Sequence, residues 1–227
     1  RRESMQVPGD FYLGLDVSFE DIALDESVGR GQFGEVFRAH IEGKRVAVKQ
    51  IFIHGTAEER LELIEDFSKE CKVMSMTRHP NIVRFYGAVR QSPNFCLITE
   101  LCEGNLQDLL TMVSNKKVNV TWRLLWSIAN GAAQALRYLH FETETQIIHR
   151  DVKAENMLLN KAFVCKLTDF GLSRIIDSGK NNQMKNMTMC GTPSWIAPEI
   201  FKGEAYNQRI DVYSYAIVLW ELFCFQK

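Results

Sequence analysis

The sequence predicts an α+β protein in which a strand-rich N-terminal part is followed by a mainly helical C-terminal part. Short runs rich in β-branched and aromatic residues, at 22–28, 46–49 and 95–99, are typical of strands. Between them, apolar residues recur at three- and four-residue steps over 58–76, which predicts one amphipathic helix. From residue 106 onward, stretches with helical periodicity dominate.

The composition is that of an ordinary globular protein. Of the 227 residues, 46% are hydrophobic and 24% are charged, which argues against disorder. The net charge of −1 provides no bulk attraction to nucleic acid or to a membrane surface. The most apolar late run, 212–225, is too short to cross a bilayer. Six cysteines without paired spacing indicate reduced thiols, so we predict a cytoplasmic protein with no nucleic-acid partner and no membrane segment.

The first strands enclose a glycine-rich turn. The strand signal at 22–28 is followed by Gly29, Gly31 and Gly34 in the pattern GxGxxG, and a second strand begins near Val36. Glycines allow backbone N–H groups to approach a phosphate without obstruction by a Cβ atom. A Rossmann fold shares this pattern but places a helix directly after the glycines, so it is disfavoured. A purely structural glycine turn stays open as the alternative.

A lysine and a glutamate in the N-terminal part form a candidate ion pair. Lys49 ends the strand 46–49, and Glu70 lies beside the apolar stripe of the helix 58–76. A carboxylate at the margin of an apolar helix face requires a cation, and Lys49 is the candidate. The alternative is that both side chains are solvated.

The C-terminal part is predicted to hold helices at 106–113 and 122–141 and then a polar loop, 149–156. Short strands at 157–159 and 164–167 follow as a hairpin. The polar loop is therefore held by regular elements on its C-terminal side, as is expected of loops that carry catalytic groups.

This loop and the residues after the hairpin carry the chemical groups that matter most. The loop reads HRDVKAEN (149–156), and DFG (169–171) follows the hairpin. Asp151 can accept a proton from a hydroxyl group, and Lys153 can neutralise a phosphate. Oxygen atoms of Asn156, the last residue of the loop, and of Asp169, the first residue of DFG, are suitable ligands for a divalent cation. Each residue alone could be a turn former or a cap, but their joint occurrence favours catalysis.

These motifs identify the chain as similar to the eukaryotic protein kinase family. The glycine-rich turn, Lys49, Glu70, HRDxKxxN, DFG and Ala197-Pro198-Glu199 occur in the family's order from about Ile22 onward. The resemblance implies a bilobal protein kinase fold with a β-rich N-lobe, one regulatory helix and a mainly helical C-lobe. The implied boundaries are a leader at 1–21, the N-lobe at 22–99, a hinge at 100–105 and an incomplete C-lobe at 106–227.

The resemblance also implies ATP and Mg²⁺ as cofactors and protein substrates as partners. In this family Asp151 orients the substrate hydroxyl, Lys153 lies near the transferred phosphate, and Lys49 and Glu70 form the bridge that holds the ATP phosphates. The expected Mg²⁺ ligands are Asn156 and Asp169. The residues expected to bind the nucleotide are Val28, Gly29, Arg30, Gly31, Gln32, Phe33, Gly34, Val36, Ala47, Lys49, Thr99, Glu100, Cys102 and Leu158.

Local residues favour serine and threonine as phosphate acceptors. Lys153 and Gly191-Thr192 resemble the serine/threonine type, and Thr192 is expected to contact Lys153 and the catalytic aspartate. Trp195-Ile196-Ala197 and the stretch 211–222 resemble the tyrosine kinase-like group, whose members are mostly serine/threonine-specific. Leu172 favours serine over threonine, by resemblance. The alternatives are tyrosine or dual specificity, a nucleotide-binding pseudokinase or scaffold, and a piece that functions only inside a longer chain.

The long polar segment between DFG and Glu199 is expected to be a regulatory loop. Arg150, which directly precedes Asp151, can pair with a phosphate placed on that loop. Position and this nearby cation predict phosphorylation by an upstream kinase, at Thr188 first and at Ser178 second.

The two ends of the chain carry separate expectations. Residues 1 to about 17 are polar and carry Pro8-Gly9, so we expect them to pack only loosely. At the other end, the resemblance implies further helices after the one that begins near Asp211. One of them supplies an arginine that pairs with Glu199. We therefore expect Glu199 to lack that partner and the last helix to have an uncovered apolar face.

Overall fold

A computed structural model describes residues 12–31, 34–176 and 191–225 of the chain. Within these ranges the fold is α+β, as predicted, with the long strands before residue 101 and most helices after it. The chain forms two compact units, Arg1–Phe67 with Arg84–Leu101 and Ser68–Val83 with Cys102–Lys227. Gln32, Phe33, Ser178 and Thr188, for which the sequence predicts roles, lie outside the described residues.

The first unit is built on a five-stranded antiparallel sheet with the order β1-β2-β3-β5-β4. Its strands are β1 (Ala23–Arg30), β2 (Gly34–Ile41), β3 (Lys44–Ile51), β4 (Phe85–Gln91) and β5 (Asn94–Glu100). Positive φ angles at Glu42 (47°) and Gly43 (74°) form the two-residue turn between β2 and β3, as the twist of a hairpin favours. The run 82–86 is rich in β-branched and aromatic residues, but the strand there begins only at Phe85.

The sheet of the first unit has one apolar face. Along β3, Val46 and Val48 are fully buried and pack with residues of β2, β4 and β5. Successive side chains of a strand point to opposite sides, so Ala47 and Lys49 lie on the other face. The alternation thus separates the core of this unit from the face that carries Ala47 and Lys49, two of the predicted nucleotide-binding residues.

The expectation of loose packing at the N-terminus is wrong for residues 12–17. Backbone hydrogen bonds of 2.6–3.0 Å join Leu13, Gly14 and Val17 to β4, the edge strand of the sheet. Leu13 and Val17 pack into the core cluster. Arg90 of β4 also binds Asp16 at 2.8 Å. Edge strands present unpaired backbone groups, and here this segment covers them.

The α-helices of the described residues are α1 (Ala57–Met76), α2 (Leu106–Ser114), α3 (Trp122–Phe141), α4 (Pro198–Phe201) and α5 (Arg209–Cys224). Four of them confirm the predicted positions to within about two residues, whereas the short α4 was not predicted. Thr56 and Glu59 form a reciprocal capping box at the start of α1, with the Thr56 N–H donating to Glu59 Oε2 at 2.7 Å. That hydrogen bond lowers the pKa of Glu59. Asn105 and Thr121 cap α2 and α3 through a side-chain oxygen that accepts one backbone N–H of the first turn.

Short strands hold the loops of the second unit. They are β6 (Gly104–Asn105), β7 (Gln146–Ile148), β8 (Met157–Leu159), β9 (Cys165–Leu167) and β10 (Arg174–Ile176). The hairpin of β8 and β9 was predicted, whereas β6 pairs with β8 at the end of the segment expected to be a hinge. The pairing of β10 with β7 ties the residues after DFG to those before HRD.

Helix α5 has apolar residues on every side. Val212, Tyr213 and Trp220 are 54%, 40% and 47% exposed, which agrees with the uncovered face that was expected. Among the described residues, no helix is both long and apolar enough to span a membrane.

The five described cysteines form no disulfide. Burial raises the pKa of Cys96 and Cys165 to about 12, so both thiols stay protonated at neutral pH. A protonated, buried thiol is a poor nucleophile, so these two side chains are packing residues.

We predict that Gly87→Ala will destabilise the first unit by about 1–3 kcal/mol, because it overpacks the contact between β4 and residues 13–17. A Cβ atom at Gly87 would lie 2.6 Å from the Gly14 carbonyl oxygen. Urea denaturation measures the change. Gly29→Ala is the control, since a Cβ there meets no atom within 4 Å. Equal stability of the two variants would contradict the packing of residues 13–17 on β4.

Candidate active site

The turn that begins the polar loop is held by one buried carboxylate. Asp211, at the start of α5, is fully buried, and its Oδ2 and Oδ1 accept the backbone N–H groups of His149 (2.8 Å) and Arg150 (2.9 Å). His140 Nε2 lies 2.8 Å from the same carboxylate. Arg150 has a φ of +68°, a conformation that non-glycine residues rarely adopt and that surrounding contacts must maintain. Asp211 supplies those contacts.

His149 joins this turn to the strand before DFG. It has no exposed surface, and its Nε2 lies 2.9 Å from the Thr168 carbonyl oxygen. Its Nδ1 faces the backbone N–H of Asp151 at 3.3 Å. A nitrogen that faces a carbonyl donates and one that faces an N–H accepts, so these contacts assign a ring proton to Nε2 and the acceptor role to Nδ1. The ring also packs edge-to-face on Phe170, with centroids 5.1 Å apart.

Asp151 is the centre of a compact polar network. It is 8% exposed, and its Oδ1 accepts the Thr192 hydroxyl at 2.8 Å. Its Oδ2 lies 2.8 Å from Lys153 Nζ and 2.9 Å from Asn156 Nδ2. Lys153 Nζ also donates to Thr192 Oγ1 at 2.7 Å. The contacts expected of Thr192 are confirmed, and the network fixes the carboxylate while a cation compensates its charge.

Asn156 and Asp169 fit the oxygen chemistry of a divalent cation. The Asn156 amide nitrogen donates to the Asp151 carbonyl (2.8 Å) and carboxylate, which leaves its amide oxygen as an acceptor. Asp169 has a φ of +67° at the start of the DFG turn. No group of three or more His, Cys, Asp or Glu residues forms a metal site among the described residues. Two protein oxygens suit Mg²⁺, which keeps waters and binds substrate phosphates.

The strand before DFG is clamped by the segment after α1. Asn81 Nδ2 donates to the Cys165 carbonyl at 2.9 Å, and the Leu167 N–H donates to the Asn81 carbonyl at 2.8 Å. Lys166, which is 9% exposed, donates to the Pro80 carbonyl at 3.0 Å. These bonds fix β9, and with it the position at which Asp169 begins.

In the second unit, Glu70 lies close to the DFG turn. It is 5% exposed, and a Cβ atom placed on Gly171 would be 3.5 Å from Glu70 Oε2. Lys49 lies on β3 of the first unit, so the predicted Lys49–Glu70 pair stays a prediction. Leu158 is on β8, opposite Asn105 and Lys166, and Cys102 precedes β6.

In the first unit, several predicted nucleotide-binding residues share one face of the sheet. Val36 is paired with Lys49, and Ala47 with Thr99, and residues directly opposite each other in a ladder point to the same side. That side is opposite to the buried Val46 and Val48. The structure therefore brings Val36, Ala47, Lys49 and Thr99 together.

The glycine-rich turn and the end of β5 also have defined places. The Gly31 N–H donates to the Gly34 carbonyl at 2.9 Å, which closes the turn between β1 and β2. A Cβ atom at Gly34 would lie 2.3 Å from the Gln50 carbonyl oxygen, so this glycine is required by the close approach of β3. Glu100 exchanges hydrogen bonds with the backbone of Arg84, at 2.9 and 2.7 Å. Val28, Gly29 and Arg30 lie on β1.

The loop that contains Thr192 is anchored to α5. The Trp195 indole Nε1 donates to Glu221 Oε2 at 3.0 Å, and the Ser214 hydroxyl donates to the Trp195 carbonyl at 2.6 Å. Trp195, Ser214 and Glu221 are all buried. No role was predicted for Asp211, Ser214 or Glu221. These three residues are polar side chains in an otherwise apolar helix, and a buried polar side chain requires a hydrogen-bond partner. That pattern could have indicated their roles.

Comparison with known proteins places the chain in a family. The family model for the protein kinase domain matches residues 22–227, so the chain belongs to the protein kinase domain family, as predicted. Residues 12–21, of which 12–17 line the edge of the sheet, precede the matched region.

Named relatives are similar over most of this chain. The probable serine/threonine-protein kinases drkB of Dictyostelium discoideum and SIS8 of Arabidopsis thaliana are 36% and 37% identical over 92% and 99% of it. The serine/threonine-protein kinase CTR1 of Arabidopsis thaliana is 38% identical over 94%. The chain spans 29%, 21% and 25% of these three proteins, respectively.

We predict that Asp211→Asn will lower the free energy of unfolding of the second unit by about 2–4 kcal/mol and will reduce catalytic turnover. The amide would place an NH₂ group against a backbone N–H of the turn, so at least one charge-assisted hydrogen bond is lost. Denaturation and a turnover assay measure the two effects. Asp108→Asn, at the exposed start of α2, is the matched control and should cost less than about 1 kcal/mol. Equal effects of both variants would contradict the role of Asp211.

We further predict a pH-dependent contribution from His79, whose ring stacks on Tyr138 with centroids 5.0 Å apart. Burial lowers its pKa from the usual 6.5, an effect that Lys166 reinforces and Glu142 opposes. Because the unfolded chain binds the proton more readily, stability should fall as pH falls from 7 through 6.5 toward the folded pKa. His79→Asn should flatten this dependence in denaturation measured from pH 7 to 5. If the stability of His79→Asn depended on pH as steeply as that of the wild type, this prediction would be wrong.

Proposed function

We propose that the chain is the catalytic domain of a serine/threonine protein kinase, which transfers the γ-phosphoryl group of ATP to hydroxyl groups of protein substrates. The observation that carries the proposal is the Asp151 carboxylate held by Thr192, Lys153 and Asn156. The family and the names of the relatives support it. A scaffold has no chemical requirement for this complete set of residues.

The geometry explains how Asp151 would act on a hydroxyl group. A carboxylate offers about four lone-pair positions, and three donors already occupy its two oxygens, so one position is left for a substrate hydroxyl. The fixed donors orient the carboxylate and its low exposure limits competition by water. Asp151 would thus hold the hydroxyl and accept its proton as transfer proceeds.

The other residues of the site would bind Mg²⁺ and the nucleotide and would neutralise negative charge. When bound, Mg²⁺·ATP supplies the phosphoryl group and the charge that offsets its oxygens. Asn156 and Asp169 would hold the Mg²⁺, and Lys49 would hold the ATP phosphates. Lys153 lies beside Asp151 and would also stabilise negative charge near the attacking oxygen. The adenine pocket would include Val36, Ala47, Thr99, Glu100, Cys102 and Leu158, and the glycine-rich turn would approach the phosphates.

Regulation by an upstream kinase is part of the proposal. The Arg150 guanidinium contacts two neutral acceptors, the Leu172 carbonyl and the Tyr206 hydroxyl, and no carboxylate among the described residues. A cation without an internal counter-ion suits a phosphate group. Thr188 remains the first candidate for phosphorylation and Ser178 the second. We also propose, from the sequence, a cytoplasmic location and membership of the tyrosine kinase-like group.

We predict that the chain will phosphorylate serine or threonine in generic protein substrates with Mg²⁺·ATP, and that Asp151→Asn will lower turnover by about 10²-fold or more. Phosphoamino-acid analysis identifies the acceptor. Asp108→Asn is the matched control, because it removes an exposed carboxylate outside the network. If the chain is inactive, the full-length protein should be assayed in the same manner. ATP binding without transfer in both would support the scaffold, and phosphotyrosine alone would overturn the proposed specificity.

A further inference from the structure

Arg150 is held by its guanidinium group as well as by its backbone. Its Nε donates to the Leu172 carbonyl at 2.5 Å, and its terminal nitrogen donates to the Tyr206 hydroxyl at 3.2 Å. The first contact lies just after the DFG turn and the second lies between α4 and α5. Arg150 thus connects the residue before Asp151 to two separate segments of the second unit.

Tyr206 is a well-supported acceptor for this arginine. It is 6% exposed and belongs to a cluster of buried residues, the others being Ile148, Ile176, Ile196, Ala197, Ile200 and Ile210. Packing in this cluster fixes the ring, and the hydroxyl contacts Arg150 and no other polar group of the described residues. Burial of a hydroxyl is unfavourable unless it is paired, so the ring and the guanidinium stabilise each other.

We propose that Tyr206 is a positioning residue for phosphoryl transfer, acting through Arg150. This inference rests on the proposed function. The hydroxyl holds the guanidinium against the Leu172 carbonyl, so the His149–Asp151 turn and the end of the DFG turn keep a fixed separation. Because Asp151 and Asp169 belong to these two turns, loss of the hydroxyl alters the placement of both carboxylates without removing either.

The substitution Tyr206→Phe tests this role, since it removes one oxygen and keeps the ring in its cluster. With phosphatase-treated chain, so that no phosphate competes for Arg150, we expect kcat to fall by about three- to tenfold, with a smaller change in KM for ATP. Tyr215→Phe is the matched control. It removes a hydroxyl that donates to the Ala129 carbonyl at 2.8 Å, in the same unit, and should leave kcat unchanged.

Two further measurements separate positioning from general destabilisation. In an Arg150→Ala background, Tyr206→Phe should have no additional effect on kcat, because the two residues act as a pair. Full additivity of the two losses would overturn the proposal, as would equal kcat values for Tyr206→Phe and the wild type. Proton exchange at Arg150 Nε, followed by NMR on ¹⁵N-labelled chain, should be at least about threefold faster in Tyr206→Phe than in the wild type or Tyr215→Phe.

The exchange measurement distinguishes failure of this inference from failure of the proposed function. If the wild-type chain transfers no phosphate, the proposed function fails, whereas faster exchange in Tyr206→Phe still supports the positioning of Arg150. If the wild type is active but exchange at Arg150 Nε is the same in all variants, the proposed function stands and this inference is wrong.

Discussion

The Asp211 carboxylate accepts the backbone N–H groups of His149 and Arg150, and it has no exposed surface itself. Those two N–H groups belong to a tight turn. Without the carboxylate they would have no hydrogen-bond acceptor, which would lower the stability of the folded state. The positive φ of Arg150 is tolerated for the same reason. Asp151 follows directly, so the direction in which its side chain leaves the backbone depends on a residue that takes no part in the chemistry.

The same helix that supplies Asp211 also holds the loop that contains Thr192. Ser214 and Glu221 bind the backbone and the indole of Trp195, one and three turns of α5 beyond Asp211. A helix is stiff over this length, so its three polar side chains set the separation of the two loops. Thr192 then reaches Asp151 at 2.8 Å. We infer that α5 keeps the Asp151 loop and the segment that contains Thr192 at a fixed distance from each other.

The sequence was informative where a structural requirement is local. Helix α3 was predicted at Trp122–Phe141 because its apolar residues recur within a few positions of each other. The motifs of the active site are likewise short. The contacts of Asp211 join residues 61 and 62 positions apart, and no local pattern records them. Residues 12–17 appeared polar enough to pack loosely. However, their backbone N–H and C=O groups, which do not depend on residue type, bind the open edge of β4.

Arg150 and Asp151, the adjacent charged residues of the HRD turn, have different surroundings. Asp151 has an internal counter-ion in Lys153, so its carboxylate can be buried without an external partner. Among the described residues, the Arg150 guanidinium contacts only the neutral oxygens of Leu172 and Tyr206. These contacts fix its position, but no carboxylate neutralises its charge. An anion that reaches Arg150 therefore gains an interaction that the Asp151 network does not offer. Control of the turn by negative charge would then act on Arg150 and reach Asp151 through the backbone of the turn, while the side-chain partners of Asp151 stay the same.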